Sequence, residues 1–365
     1  MINQNSNLKS GELVSADRRH DIDWLRVIAI ALLLIYHVVI VFQPWGFYIG
    51  FIQSLETSDA IWIPMALLNV WRIPLLFFVS GMGVCFALRR RDWKQLLMDR
   101  AKRILLPLIF GSFFIVPIHV FLFQKYYEQD IAYSPGMGHL WFLANIFIYV
   151  TQIIGFAFLK KNYDYKFFNF FRRLLKRPYF LYLFIIPFVL EAELANPEYF
   201  SLYVGTGHGF LIGMLAFFFG FLFIAIGDAF WNAVEKIKIA SLIIAFALYL
   251  IRLFNFDLNG PNFLTSVESM NWIFAVFGFG YKYLNKPGKI LIYLSQAAYP
   301  VYIIHMIFLY LASFIILPLN IPLALKLISI VLLTFTGCII TYDLIIKRVV
   351  FLRPLFGLKG VEHKN

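Results

Sequence analysis

The chain predicts an all-α, polytopic membrane protein of about ten transmembrane helices with both termini cytoplasmic, on three observations. Of its 365 residues, 61% are hydrophobic and only 14% charged, a balance that suits a bilayer rather than a soluble core. Apolar runs of roughly 17 to 25 residues recur along the chain, each long enough to cross the hydrocarbon layer. Lys and Arg collect in alternate connections, as the positive-inside rule requires of a chain that weaves back and forth.

The apolar runs place spans at 25–42, 61–88, 104–123, 139–159, 179–190, 207–226, 239–254, 264–281, 290–317 and 325–346. The fifth is short, bounded by Pro178 and Glu191, and is expected to be longer or broken. The second is too long for a perpendicular span and contains Arg72-Ile73-Pro74, which predicts a kink or tilt. Basic clusters follow the second, fourth, eighth and tenth spans: Arg89 to Arg103, Lys160 to Arg177, Lys282 to Lys289 and Lys347 to Lys364. The segments 43–60 and 191–206 hold no Lys or Arg, and 124–138 holds only Lys125. The net charge of +12 is therefore topological and calls for no nucleic-acid partner. Residues 1–21 read as a polar cytoplasmic tail without a cleavable signal peptide, 22–346 as the membrane domain, and 347–365 as a second cytoplasmic tail. Segment 164–177, rich in Phe and basic residues, reads as an amphipathic stretch along the cytoplasmic interface. Cys85 and Cys338 both lie in apolar runs, with no disulfide framework or zinc-ligand spacing.

Ionisable groups in hydrocarbon are expensive and mark candidate sites. Arg26 and His37 share the first span. Eleven residues are about three helical turns, so the two side chains fall on one face, about 16 Å apart along the axis. A cation near the cytoplasmic end and an imidazole deep in the same wall suit a long anionic ligand; the alternative is a snorkelling arginine and a packed histidine. His37, His119, His139, His208 and His305 all fall in the outer half of the membrane or at its rim. Arg100 and Arg103, three apart, share a face at the inner boundary, where guanidinium forks suit phosphate oxygens and also anchor helices. Glu268 is placed to orient a histidine or to pair with Arg252 or Arg72. Ser80-Gly81-Met82-Gly83 reads as a close helix-packing stretch. No Gly-x-Ser-x-Gly elbow, Walker loop or dinucleotide fingerprint occurs in a suitable context.

These residues carry a family likeness. Asp23-Trp24-Leu25-Arg26 followed by His37 resembles the first-helix signature of acyltransferase family three, the multi-pass membrane O-acyltransferases. Arg72-Ile-Pro-Leu-Leu-Phe-Phe-Val-Ser80-Gly81, Arg100-x-x-Arg103, His139-Leu-Trp-Phe-Leu143 and Tyr299-Pro-Val-Tyr-Ile-Ile-His305 resemble further motifs of that family, in order. Leu352-Arg-Pro-Leu-Phe-Gly357 resembles a subgroup that succinylates periplasmic glucans. The resemblance implies an enzyme of the bacterial cytoplasmic (inner) membrane, an acyl-CoA donor on the cytoplasmic side, and a glycan or glycolipid acceptor. It also implies either a reaction completed by this chain or a hand-over to a separate periplasmic or extracellular partner protein. No metal is expected. On this basis the catalytic candidates are His37, His305 and Arg72. The donor-binding candidates are Arg26, Arg100 and Arg103, and the substrate-binding candidates are His139, Trp141 and Glu268. The competing reading is a secondary transporter of a small anionic solute, although no internal repeat of the kind transporters carry is visible.

Overall fold

The computed structural model describes residues 18–159 and 165–360. Residues 1–17 of the expected tail 1–21, residues 361–365 of the expected tail 347–365, and the basic residues Lys160, Lys161 and Lys364 lie outside the described residues. Among the described residues the chain is helical, without strands. Among the described residues, nine stretches are long and apolar enough to cross a membrane. They contain α1 (His20–Ile40), α2 (Asp59–Leu88), α3 (Trp93–Tyr126), α4 (Trp141–Leu159), α6 (Ile186–Ala195), α7 (Gly207–Ile226), α8 (Asp228–Asn255), α10 (Lys289–Ile316) and α11 (Leu323–Thr341). The amphipathic α5 (Tyr165–Leu174) and the short α12 (Leu352–Leu355) stand outside these spans.

The tenth pass is α9 (Asn262–Tyr283), long enough to span but too polar for the same measure. Its Thr265, Ser266, Glu268, Ser269 and Asn271 are all buried. A membrane helix tolerates such residues when they face protein rather than lipid, and α9 packs against α8, α2, α6 and α1.

Proline explains the irregular helices. The fifth pass is broken as expected: Pro178–Ile185 winds tightly as a 3-10 helix before α6 begins. In α2, Pro74 has no N–H, which frees the Val70 carbonyl. Tyr203 Oη and Ser269 Oγ donate to that oxygen at 2.9 and 2.8 Å, so the lost bond is replaced from neighbouring elements. In α3 the ladder slips to π-helical spacing at Ala101–Leu105 and again at Gly111–Ile115. Pro107 and Pro117 lie just beyond these turns and lack the N–H groups that would bond residues 103 and 113. The sequence placed the start of this span at residue 104. The helix itself begins earlier, at Trp93, on an Asp92–Gln95 capping box, and Arg100 and Arg103 lie within it, as their shared face assumed.

Close packing sets the distance between α2 and α7. A β-carbon on Gly81 would strike the Phe217 backbone, and one on Gly220 would strike the Phe78 backbone. The glycines therefore let two helices approach backbone to backbone, the role read from Ser80 to Gly83.

The loops sort into two ends. At the basic end Arg89 donates to the Ile224 carbonyl at 2.8 Å, and Arg172 of α5 donates to Ile226 and Ala225 at 3.0 and 3.2 Å. These bonds satisfy carbonyls left free where α7 stops. Gly357, following α12, packs against Tyr299 and the Arg103 carbonyl, which brings the chain's last described turns to the same end as the start of α1 and α3. At the opposite end the Gln53 amide donates to Tyr127 Oη at 2.9 Å, and Asn262 donates to Asn196 at 3.2 Å.

Candidate active site

Four histidines meet where α1, α3 and α10 approach the turn Gly138–Leu140 that precedes α4. His37 Nδ1 lies 2.8 Å from His305 Nε2, and the two rings are 3° from parallel with centroids 5.1 Å apart. His305 Nδ1 lies 2.7 Å from the Tyr302 carbonyl oxygen. A carbonyl only accepts, so His305 carries its hydrogen on Nδ1. In neutral His305 the Nε2 is then bare and accepts from His37 Nδ1–H. The neutral His37 that results has its lone pair on Nε2. That nitrogen has no hydrogen-bond partner among the described residues, and His37 is half-buried. The Tyr302 carbonyl thus orients a two-histidine relay that ends in one free basic atom.

His139 braces the relay. Its Nε2 lies 3.0 Å from the Ile303 carbonyl, its own carbonyl accepts from Tyr302 Oη at 2.6 Å, and its ring stands edge-on to His305 at 4.9 Å. Donation to Ile303 leaves His139 Nδ1 as an acceptor, buried and without a partner among the described residues. His119 Nδ1 is also buried and without a hydrogen-bond partner among the described residues, and its ring is 5.7 Å from that of His139. Trp141, at the start of α4, lies edge-on to Phe77 at 6.2 Å and is half-buried.

Arg72 flanks the cluster. Its guanidinium carbon sits 3.7 Å over the ring of Tyr36, the neighbour of His37. It is 2% exposed, yet Nε and Nη1 are buried without hydrogen-bond partners among the described residues.

A second basic group lies toward the start of α1. Arg100 Nη2 donates to the Gly83 carbonyl at 3.3 Å, and a β-carbon on Gly83 would stand 3.8 Å from Arg26 Nη2. Arg26 and Arg100 therefore converge on one point of α2. Arg26 also lies 3.6 Å from Asp23 and stays about a third exposed, 37% by side chain. Arg103 is turned elsewhere: its Nε is 2.9 Å from Asp99 Oδ1, while Arg91 holds the other oxygen at 2.8 Å. Ile30 and Leu33, which lie between Arg26 and His37 on the expected face of α1, are both buried.

Glu268 is held apart from the histidines. Arg252 Nε and Nη2 reach its two oxygens at 2.7 and 3.0 Å, and Trp272 Nε1 adds a 3.4 Å contact. Of the pairings open to Glu268, the one with Arg252 is formed, and its carboxylate has no contact with a cluster histidine. His208 is likewise separate, with Nδ1 3.0 Å from Glu191 and Nε2 3.0 Å from the Phe200 carbonyl.

Sequence reasoning assigned no role to Tyr302, Tyr36 or His119. Tyr302 carried a signal, since it stands three residues before His305 and so shares its helix face.

Residues 19–343 match the family model described as an acyltransferase domain, that of acyltransferase family three. The chain has no match among curated proteins. The histidine cluster, Arg72 and the Arg26–Arg100 pair all lie inside the matched region, whereas 352–357 falls beyond it.

Proposed function

The chain belongs to acyltransferase family three and is a multi-pass membrane acyltransferase, and from that premise we propose that it moves an acyl group from cytoplasmic acyl-CoA to a hydroxyl of a glycan or glycolipid at or across the bacterial inner membrane. The observation that carries the reading is the free Nε2 of His37 at the end of an oriented relay. In the proposed reaction His37 Nε2 takes the proton of the acceptor hydroxyl as that oxygen attacks the thioester carbonyl. The bond from oxygen to carbon forms while the carbonyl π pair moves to oxygen. Arg72 offers the N–H groups of two unspent nitrogens, Nε and Nη1, to the resulting oxyanion. Collapse of the intermediate breaks the carbon–sulfur bond, and the thiolate leaves with the proton returned by His37. During the step His305 accepts from His37 Nδ1–H and, through its own bond to Tyr302, steadies the imidazolium.

Arg26 and Arg100 hold the donor phosphates in this scheme, with Arg103 recruited when it releases Asp99. His139 Nδ1 accepts from an acceptor hydroxyl, and Trp141 offers a flat apolar face to a sugar ring. Ile30 and Leu33 fill the α1 face between Arg26 and His37, and in this scheme the donor arm runs beside Tyr299 and Tyr302 of α10. Glu268 stays in its fork with Arg252 and contacts no ligand. A separate extracytoplasmic protein accepts the acyl group if the final acceptor lies beyond reach of the membrane.

The test uses the full chain in nanodiscs with an acyl-CoA series and membrane glycan fractions. The proposal expects free thiol to appear only when acceptor is present, with a matching acyl mass on the glycan. Counterflow of an anionic solute with no loss of thioester would contradict it and establish the transporter instead.

A further inference from the structure

Three rings form a ladder on α10. Tyr299 and Tyr302 are 20° from parallel with centroids 6.5 Å apart, and Tyr302 and His305 follow at 28° and 6.0 Å. The ladder leads from the arginine end, where Tyr299 packs with the Arg103 carbonyl against Gly357, to the histidine pair. Its two hydroxyls differ. Tyr302 Oη is satisfied by the His139 carbonyl. Tyr299 Oη is buried and has no partner among the described residues. Arg100 stands one turn before Arg103, whose carbonyl shares the Gly357 contact with Tyr299, and its Nε is also buried and unpartnered. Two orphaned polar atoms at one end of the bundle are costly unless something fills them.

We propose that Tyr299 Oη and Arg100 Nε form a subsite for an amide of the donor's pantetheine arm. This inference rests on the acyl-CoA reading above. The chemistry is complementary: an amide oxygen accepts from the guanidinium, while the hydroxyl both donates and accepts. The length selects which amide. Six residues of α10 separate Tyr299 from His305, about 9 Å of helix. From the thioester carbon to the outer amide of the arm is the extended length of about three peptide units, about 10 Å. The inner amide would fall beside Tyr302, whose hydroxyl is already used. Tyr299 is thus a positioning residue that fixes how far the thioester advances toward His37.

The experiment measures binding of coenzyme A and of adenosine 3′,5′-bisphosphate to the full-length protein, wild type and Tyr299→Phe. The bisphosphate carries the nucleoside and two of the three phosphates but lacks the arm. The subsite expects Tyr299→Phe to weaken coenzyme A by about five- to tenfold, the loss of one hydrogen bond. Bisphosphate affinity should be unchanged, and the variant should melt no lower than wild type, since the hydroxyl it loses has no internal partner. Equal coenzyme A affinity in both proteins overturns the subsite and leaves the donor reading intact. Equal weakening of both ligands also overturns it, because the hydroxyl would then act through the fold or the phosphates. Failure of wild type to bind either ligand removes the donor reading and the subsite with it.

Discussion

Arg72 and Arg252 are two guanidinium groups buried to the same degree, each 2% exposed, and the protein treats them in opposite ways. Arg252 forks onto Glu268 at 2.7 and 3.0 Å and spends its remaining reach on the Leu258 and Ala66 carbonyls at 2.8 and 2.9 Å. It joins α8, α9 and α2, and each of its nitrogens has a partner. Arg72 rests on the face of Tyr36 and keeps two nitrogens unspent. A buried charge without a counter-charge is expensive, so it persists where a ligand supplies the missing partner. The histidines show a related difference: both ring nitrogens of His208 have acceptors, Glu191 and the Phe200 carbonyl, whereas His119 and His139 in the cluster each keep an unpartnered Nδ1. Arg252 thus belongs to the scaffold, while Arg72 and the histidine cluster are the groups the proposed reaction draws on.

That contrast can be broken most sharply at Glu268. Glu268→Ala strands a buried guanidinium and should cost about 3–5 kcal/mol of stability, read by denaturation in detergent. Replacing both members, Arg252→Met with Glu268→Leu, should recover most of that loss, since an apolar pair leaves no charge behind. If the single variant is as stable as wild type, the fork is not the scaffold element described. Arg72→Gln should behave in the reverse sense. Its acyl transfer should fall by about 10²–10³-fold, the usual consequence of losing one oxyanion donor, while its melting temperature holds or rises. A destabilised Arg72→Gln with normal turnover would place Arg72 in the scaffold. The smallest effect is expected at Glu191. Glu191→Gln, which weakens a charged hydrogen bond to His208, should cost about 1.5–3 kcal/mol with no change in rate per folded molecule. A rate loss without a stability loss would move that pair into the site.

Much of the fold was legible in sequence because hydropathy and the Lys/Arg bias report on the bilayer directly. Helix α9 shows where that signal weakens: its buried Thr265, Ser266 and Ser269 lower its hydropathy although it lies inside the bundle. The site was legible only in part. The eleven-residue spacing of Arg26 and His37 named two groups for a candidate pathway, yet could not show that Ile30 and Leu33 are buried between them. The contact between His37 and His305 joins residues 268 positions apart, which no helical period encodes. Which nitrogen of His37 is free depends on a backbone carbonyl at Tyr302, and every residue has a carbonyl. Arg103 illustrates the converse. Its partner Asp99 stands four residues earlier, a spacing that favours an ion pair on any helix and was open to inspection.

The central claim is that the two ends of this pathway do different work, with donor binding at Arg26 and proton transfer at His37. One experiment addresses it: donor affinity and single-turnover thiol release, measured together in nanodiscs for wild type, Arg26→Ala and His37→Ala. The account predicts that Arg26→Ala binds coenzyme A about tenfold more weakly but turns over near the wild-type rate once saturated. His37→Ala should bind donor normally and turn over about 10²–10⁴-fold more slowly. Near-normal turnover in His37→Ala, or a loss of donor affinity equal to that of Arg26→Ala, would contradict it.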